Sequence, residues 1–133
     1  MKKTLTIISI VLLVTLLIIS CRALTIEDMD ILGKWIFNSI DQKGIQYQST
    51  FVFEGSQTYG VAKYEICCSN DGIYFRDKEN IRMEIYNTHW PSTTAYTGYI
   101  KIDQTMSGSW EYNSIFSGTP TKNSGTFNAS KVK

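Results

Sequence analysis

IQYQSTFVFE, residues 45–54, carries the alternation that decides the fold. Ile45, Tyr47, Phe51 and Phe53 fall on one side of an extended chain, and Gln46, Gln48, Thr50 and Glu54 on the other. Successive side chains of a strand point to opposite faces, so this stretch predicts a half-buried β-strand. Ile81, Met83 and Ile85 alternate with Arg82 and Glu84 in the same way. Clusters of Asn, Asp, Gly and Ser break the chain at short intervals on either side. They delimit eight strands: Gly33–Ile40, Ile45–Glu54, Thr58–Cys67, Gly72–Arg76, Ile81–Asn87, Thr94–Ile102, Met106–Tyr112 and Gly125–Val132. No window of helical period follows Leu32, and aromatic residues, threonine and glycine dominate, which is all-β composition.

Connections this short join only antiparallel neighbours. Eight such strands in one small domain predict a sheet closed on itself, a single eight-stranded antiparallel up-and-down β-barrel without exposed edges. A two-sheet sandwich is the alternative. Ahead of the first strand, Thr25-Ile26-Glu27-Asp28 followed by Met29 and Ile31 is expected to form one helical turn, with Thr25 as its cap, that plugs a barrel end.

The N-terminus reads differently. Lys2 and Lys3 precede an almost wholly apolar run, Thr4 to Ser20, which ends in TLLIISCRAL (15–24). A spanning anchor helix needs about 20 apolar residues, so this run is marginal as one. Its end, Ile18-Ile19-Ser20-Cys21, resembles the bacterial lipoprotein signal. That resemblance implies a signal-peptide helix at 1–20 that is removed, diacylglycerol on Cys21, and attachment to a membrane of the bacterial cell envelope. Arg22, where an aspartate would signal inner-membrane retention, leans the expectation towards the outer membrane. The predicted domains are then the leader 1–20, a lipidated tether with a short turn at 21–32, and the barrel at 33–133. Without Lys2 and Lys3, 11 of the 13 basic residues remain against 12 acidic ones. No basic patch exists, and nucleic acid is not an expected partner.

A small pattern recurs in the barrel: Gly33-Lys34-Trp35, Gly108-Ser109-Trp110 and Gly125-Thr126-Phe127. Glycine two residues before an inward aromatic lets a strand coil sharply while a neighbouring ring covers the bare backbone. In a closed barrel the seventh, eighth and first strands are adjacent, so the three motifs predict one tightly bent wall. Trp35 and Trp110, on strands running the same way, are expected near the same end.

ILGKWIF (31–37) is similar to the start of the lipocalins, whose first strand carries Gly-x-Trp, and MSGSWEYN with NSGTFNASKV to the end of short bacterial lipocalin-like domains. That resemblance implies an interior that binds a small hydrophobic molecule, with Lys131 where those barrels pack a basic residue over the tryptophan. GKWIFNS (33–39) is also similar to the avidins, although no convincing set of their later biotin-contacting residues follows.

An eight-stranded barrel is either packed with side chains or wide enough for one small ligand. The expected inward set is Trp35, Phe37, Tyr47, Phe51, Phe53, Tyr64, Ile66, Met83, Ile85, Ile100, Trp110 and Phe127. Both readings stay open: a filled core, or a cavity lined by Trp35, Phe37, Tyr47, Phe51, Phe53, Tyr64, Ile85 and Trp110. Length and aromatic content gather at one rim, in the connections Thr88–Pro91 and Asn113–Ser124, which offer Trp90 and Phe116 as contacts for a protein partner. Cys67 and Cys68 lie near that rim, either as free thiols or as a strained vicinal disulfide. His89 is close in sequence, but no zinc-like spacing supports a metal, and no cofactor is expected. Glu54, Glu65, Glu84 and Glu111 fall on outer faces, and no nucleophile elbow or phosphate loop is present, so an enzyme is not expected.

Overall fold

The computed structural model describes residues 26, 29–65, 71–87, 91–116 and 118–133. Cys21, Ile66, Cys67, Cys68, His89 and Trp90 lie outside the described residues, as do Thr25, Glu27 and Asp28. Among those described, no helix is long and apolar enough to cross a membrane.

Eight strands form: β1 (Gly33–Asp41), β2 (Gln46–Gly55), β3 (Tyr59–Tyr64), β4 (Asp71–Asp77), β5 (Asn80–Asn87), β6 (Ser92–Lys101), β7 (Thr105–Phe116) and β8 (Thr119–Lys131). Each pairs antiparallel with its sequence neighbour, and β1 pairs with β8 to close the barrel. Closure satisfies every strand on both sides, which is what a sheet of short hairpins gains over an open sandwich.

One expected loop is a strand pair. The stretch Asn113–Ser124 continues the β7–β8 ladder to Phe116↔Thr119, with Gly118 in the left-handed turn at φ 79°. Its alternation of Asn, Ser, Thr and Lys lacks the apolar face that marks a half-buried strand, so only ladder pairing holds it extended.

The glycine–aromatic motifs of β7 and β8 come together and are joined by β6, but the third, Gly33-Lys34-Trp35, lies at the other end of β1, where Gly33 pairs with Phe53. Gly98 pairs with Gly108, and Gly108 pairs with Phe127 on the far side. A Cβ on Gly108 would stand 2.1 Å from Thr97 O, and one on Gly98 would stand 3.0 Å from the Phe127 ring. The three strands approach closely because nothing projects between them.

The two tryptophans lie at opposite levels, contrary to expectation. Trp35, near the start of β1, pairs with Lys131, whereas Trp110 pairs with Gly125, which itself pairs with Asp41 at the far end of β1. The barrel's stagger slides β7 along β1, and direction alone does not reveal that shift.

The interior has two different halves. At the end where β1 starts, Trp35, Phe37, Phe53, Tyr74, Ile100, Met106 and Phe127 are buried and pack against one another. Phe37 stacks on Phe127 at 5.2 Å, and Phe53 meets Tyr74 at 4.9 Å. Met29 and Ile31 are buried against this end from outside the sheet. Ile26 lies in a short turn closed by Met29 N donating to Ile26 O at 3.2 Å. Lys131 pairs with Trp35 across the β1–β8 seam, but its Nζ donates to Asp30 O at 2.7 Å, and the buried Arg76 lies at the same end.

Candidate functional site

The other half opens towards the β1–β2, β5–β6 and β7–β8 connections. Period two carries the inward face of β1 from Trp35 and Phe37 to Ser39 and Asp41, all buried. The same period brings Tyr47 and Ser49 inward on β2, Thr94 and Tyr96 on β6, Trp110 and Tyr112 on β7, and Asn123 on β8. These eight side chains, Ser39 to Asn123 without Asp41, line a cavity of about 300 Å³. That volume is at the lower end for small-molecule sites.

Tyr96 is its floor. The ring meets Phe37 at 5.3 Å and Phe127 at 5.4 Å, both part of the packed half. Trp110 forms a wall, edge-on to Tyr47 at 6.0 Å. A smaller lobe of about 190 Å³ continues past Ser49, Thr94 and Tyr96 to Phe51, Tyr64 and Ile85.

The electrostatics are organised around one carboxylate. Asp41 Oδ1 accepts the backbone N–H groups of Lys43 and Ile45, both at 2.8 Å. Its Oδ2 accepts the Tyr47 hydroxyl at 3.2 Å and the Asn123 amide at 3.2 Å. Burial pushes the carboxyl upwards, but these hydrogen bonds outweigh it and hold the pKa below the ordinary aspartate value. The Tyr47 phenol is raised, by burial first and then by the Asp41 charge. Tyr96 is raised by burial, opposed in part by the nearby Ser39 and Ser49 hydroxyls. Both phenols therefore stay protonated at neutral pH.

Two polar atoms in this wall are orphaned. Ser39 Oγ and Trp110 Nε1 are buried, at 4% and 6% residue exposure, and neither has a hydrogen-bond partner of acceptable geometry. Burying a polar group without a partner costs roughly 1–3 kcal/mol, and both atoms belong to residues that line the cavity.

Of the residues expected to line a cavity, Tyr47 and Trp110 line the main one, and Phe51, Tyr64 and Ile85 line the second lobe. Trp35, Phe37 and Phe53 belong to the packed half beneath. Phe116 ends β7, and its expected rim partner Trp90 lies outside the described residues. The polar wall of Ser39, Ser49, Thr94 and Asn123, with Tyr96 and Tyr112, went unread. For all but Asn123 a signal existed: each of the others sits two residues from an inward aromatic or from another member of the wall, a position where a filled barrel would carry aliphatic side chains. Among the described residues no group of histidine, cysteine and carboxylate side chains could hold a metal ion.

No protein-family model matches the chain, and no curated protein matches it. Among solved structures, the bradavidin2–biotin complex matches with a TM-score of 0.59 at 14% identity, over 79% of this chain and 100% of that one. A redesigned β-barrel matches with a TM-score of 0.55 at 10% identity, over 77% of this chain and 92% of that one. At such identities the likeness is one of architecture: the chain has the closed, eight-stranded antiparallel barrel fold, with an avidin-type protein among its structural neighbours.

Proposed function

We propose that this protein is a lipid-anchored binding barrel of the bacterial cell envelope that takes one small molecule into its open half. The observation that carries the reading is the pair of orphaned atoms, Ser39 Oγ and Trp110 Nε1, buried in the wall of one cavity. An indole N–H is a donor only, so the ligand must supply an acceptor to it. Tyr47 commits its proton to Asp41, which leaves its oxygen lone pairs for an N–H from the ligand. Among the described residues no cation lines the cavity, and Asp41 stands behind it, so an anionic head would be repelled. The chemistry matched is a compact neutral head with a carbonyl beside an N–H: an amide, lactam or urea on an apolar body. The expected small hydrophobic ligand thus gains a polar head.

The volume limits its size. At about 30 Å³ per liquid water, the cavity has the room of roughly ten waters, enough for a ligand of modest size. Biotin, the ligand of the structural neighbour, joins a urea to an apolar body and is the first compound to test. The reading is of binding, for which the described wall offers hydroxyls, an amide and an indole. The anchor is supported by the Ile18-Ile19-Ser20-Cys21 stretch after its basic, apolar leader.

Titration calorimetry with biotin and a panel of cyclic ureas and lactams tests the site, beside native mass spectrometry of protein purified from its own host. One equivalent of ligand is expected, with quenched or shifted Trp110 emission. Trp110→Phe should weaken binding about tenfold, the loss of one hydrogen bond of about 1.4 kcal/mol. An empty interior in host-purified protein, together with no binding across the panel, would overturn the reading.

A further inference from the structure

We propose that the closed end of the barrel is the face that meets the bilayer, so that the cavity opens away from the membrane. This rests on the lipid attachment at Cys21 proposed above. It is carried by a group of side chains that ligand binding does not use.

Arg76, near the end of β4, is buried yet spends its guanidinium on main-chain carbonyls. Its Nη1 donates to Met29 O at 2.7 Å, its Nε to Lys78 O at 2.8 Å, and its Nη2 to Ile26 O. Gln57, in the β2–β3 turn, accepts the Ile31 N–H at 2.9 Å and donates to Asp30 Oδ1 at 2.7 Å. Lys131 of β8 donates to Asp30 O, and Trp35 Nε1 of β1 donates to Ile31 O at 2.8 Å. Ile26, Met29, Asp30 and Ile31 are therefore bonded to β1, β4, β8 and the β2–β3 turn, all at one end. Ile26, the described residue nearest Cys21 in sequence, is thus held at that end.

Length then decides orientation. Residues 22–25 separate Ile26 from Cys21. Even fully extended, the five steps span at most about 18 Å, at ~3.3–3.6 Å each. The nine residues of β1 run about 30 Å at ~3.3 Å each, which at a tilt of about 40° gives a barrel about 23 Å tall. A tether shorter than the barrel cannot pass from the closed end to a membrane at the mouth.

The surface suits the position. Tyr59 at the start of β3, Phe75 near the end of β4, Tyr99 near the end of β6, Ile102 in the β6–β7 turn and Val132 after β8 are exposed there. Aromatic and aliphatic groups of this kind sit favourably at headgroup level. The mouth also exposes apolar side chains, Ile40, Ile45 and Ile115 among them, so the tether discriminates between the ends and apolarity does not.

Hydroxyl-radical footprinting of the full chain, processed in a lipoprotein-competent bacterium and held in phosphatidylethanolamine/phosphatidylglycerol vesicles, tests this. The reference is a variant with a long Gly/Ser spacer inserted between Arg22 and Ala23. Oxidation of Tyr59, Tyr99 and Val132 should be severalfold slower in the native chain than in the spacer variant, with Tyr47, Tyr86 and Ile115 equal in both. The mass of the Cys21 peptide, read from the same samples, separates the two claims. An acylated Cys21 with protected mouth residues, or with no difference between the variants, overturns the orientation alone. An unmodified Cys21 overturns the anchor and the orientation with it.

Discussion

Asp41 is not among the residues that line the cavity, yet it sets two that do. Its Oδ2 holds Tyr47 from β2 and Asn123 from β8, and its Oδ1 fixes the turn between β1 and β2. Asp41→Asn replaces one accepting oxygen with a donor, so Tyr47 and Asn123, or the turn amides, lose their partner. Ligand affinity should fall about tenfold, the worth of one hydrogen bond to a charged group, while the circular dichroism of the barrel is retained. Unchanged affinity would show that Asp41 does not position the wall. The sign of the pH effect follows from the depressed pKa. The carboxylate's contribution is fully present above the unfolded aspartate value of about 3.9 and is lost as pH falls through the lower folded value. Thermal denaturation of Asp41→Asn, followed from neutral pH to pH 3, should therefore be less acid-sensitive than that of the native chain. In the sequence Asp41 reads as the first residue of a turn. Its role there is local and legible, but Asn123 is 82 positions away, and no periodicity announces that pairing.

Among the elements, the β6–β7–β8 wall depends most on what is absent from it. The repeats at Gly108 and Gly125 were legible because glycine before an inward aromatic has a steric cause in a coiled strand. Gly98 was not, since no Trp or Phe follows it to complete the motif. Gly108→Ala would set a methyl against Thr97 O and the Gly98 backbone, where only main chain could move. Overpacking of this kind costs about 1–3 kcal/mol, and a melting temperature lowered by several degrees is expected. Registers, unlike strands, were hidden. Strand order and direction follow from connection lengths, but the stagger that separates Trp110 from Trp35 depends on how far each strand slides, which side-chain packing around the whole barrel decides.

At the scale of the whole molecule, the question of a filled or a hollow barrel has a divided answer: packed at the closed end, open at the mouth. Composition could not distinguish these, because the aromatics of both halves obey the same alternation. The difference lies in a few hydroxyls and one amide at inward positions. The division makes stability and binding separable. Phe53→Ala, within the packed half, should cost about 3–5 kcal/mol, and its loss should be visible in chemical denaturation. Trp110→Phe removes a buried donor that has no partner, so its effect on the empty barrel should be much smaller than its effect on affinity. Equal destabilisation by the two changes would show that the open half is part of the core.

Arg76 also determines how the molecule would respond to being pulled. A force applied through the N-terminal chain would first meet the carbonyls of Ile26 and Met29, and so pass into β4, on the opposite side of the barrel from the β1–β8 seam. Without that link the load would pass to Asp30 and Ile31, which Gln57, Lys131 and Trp35 hold, and from there into β1 and β8. With it, the strain is shared across the girth of the sheet, between the β1–β8 seam and β4.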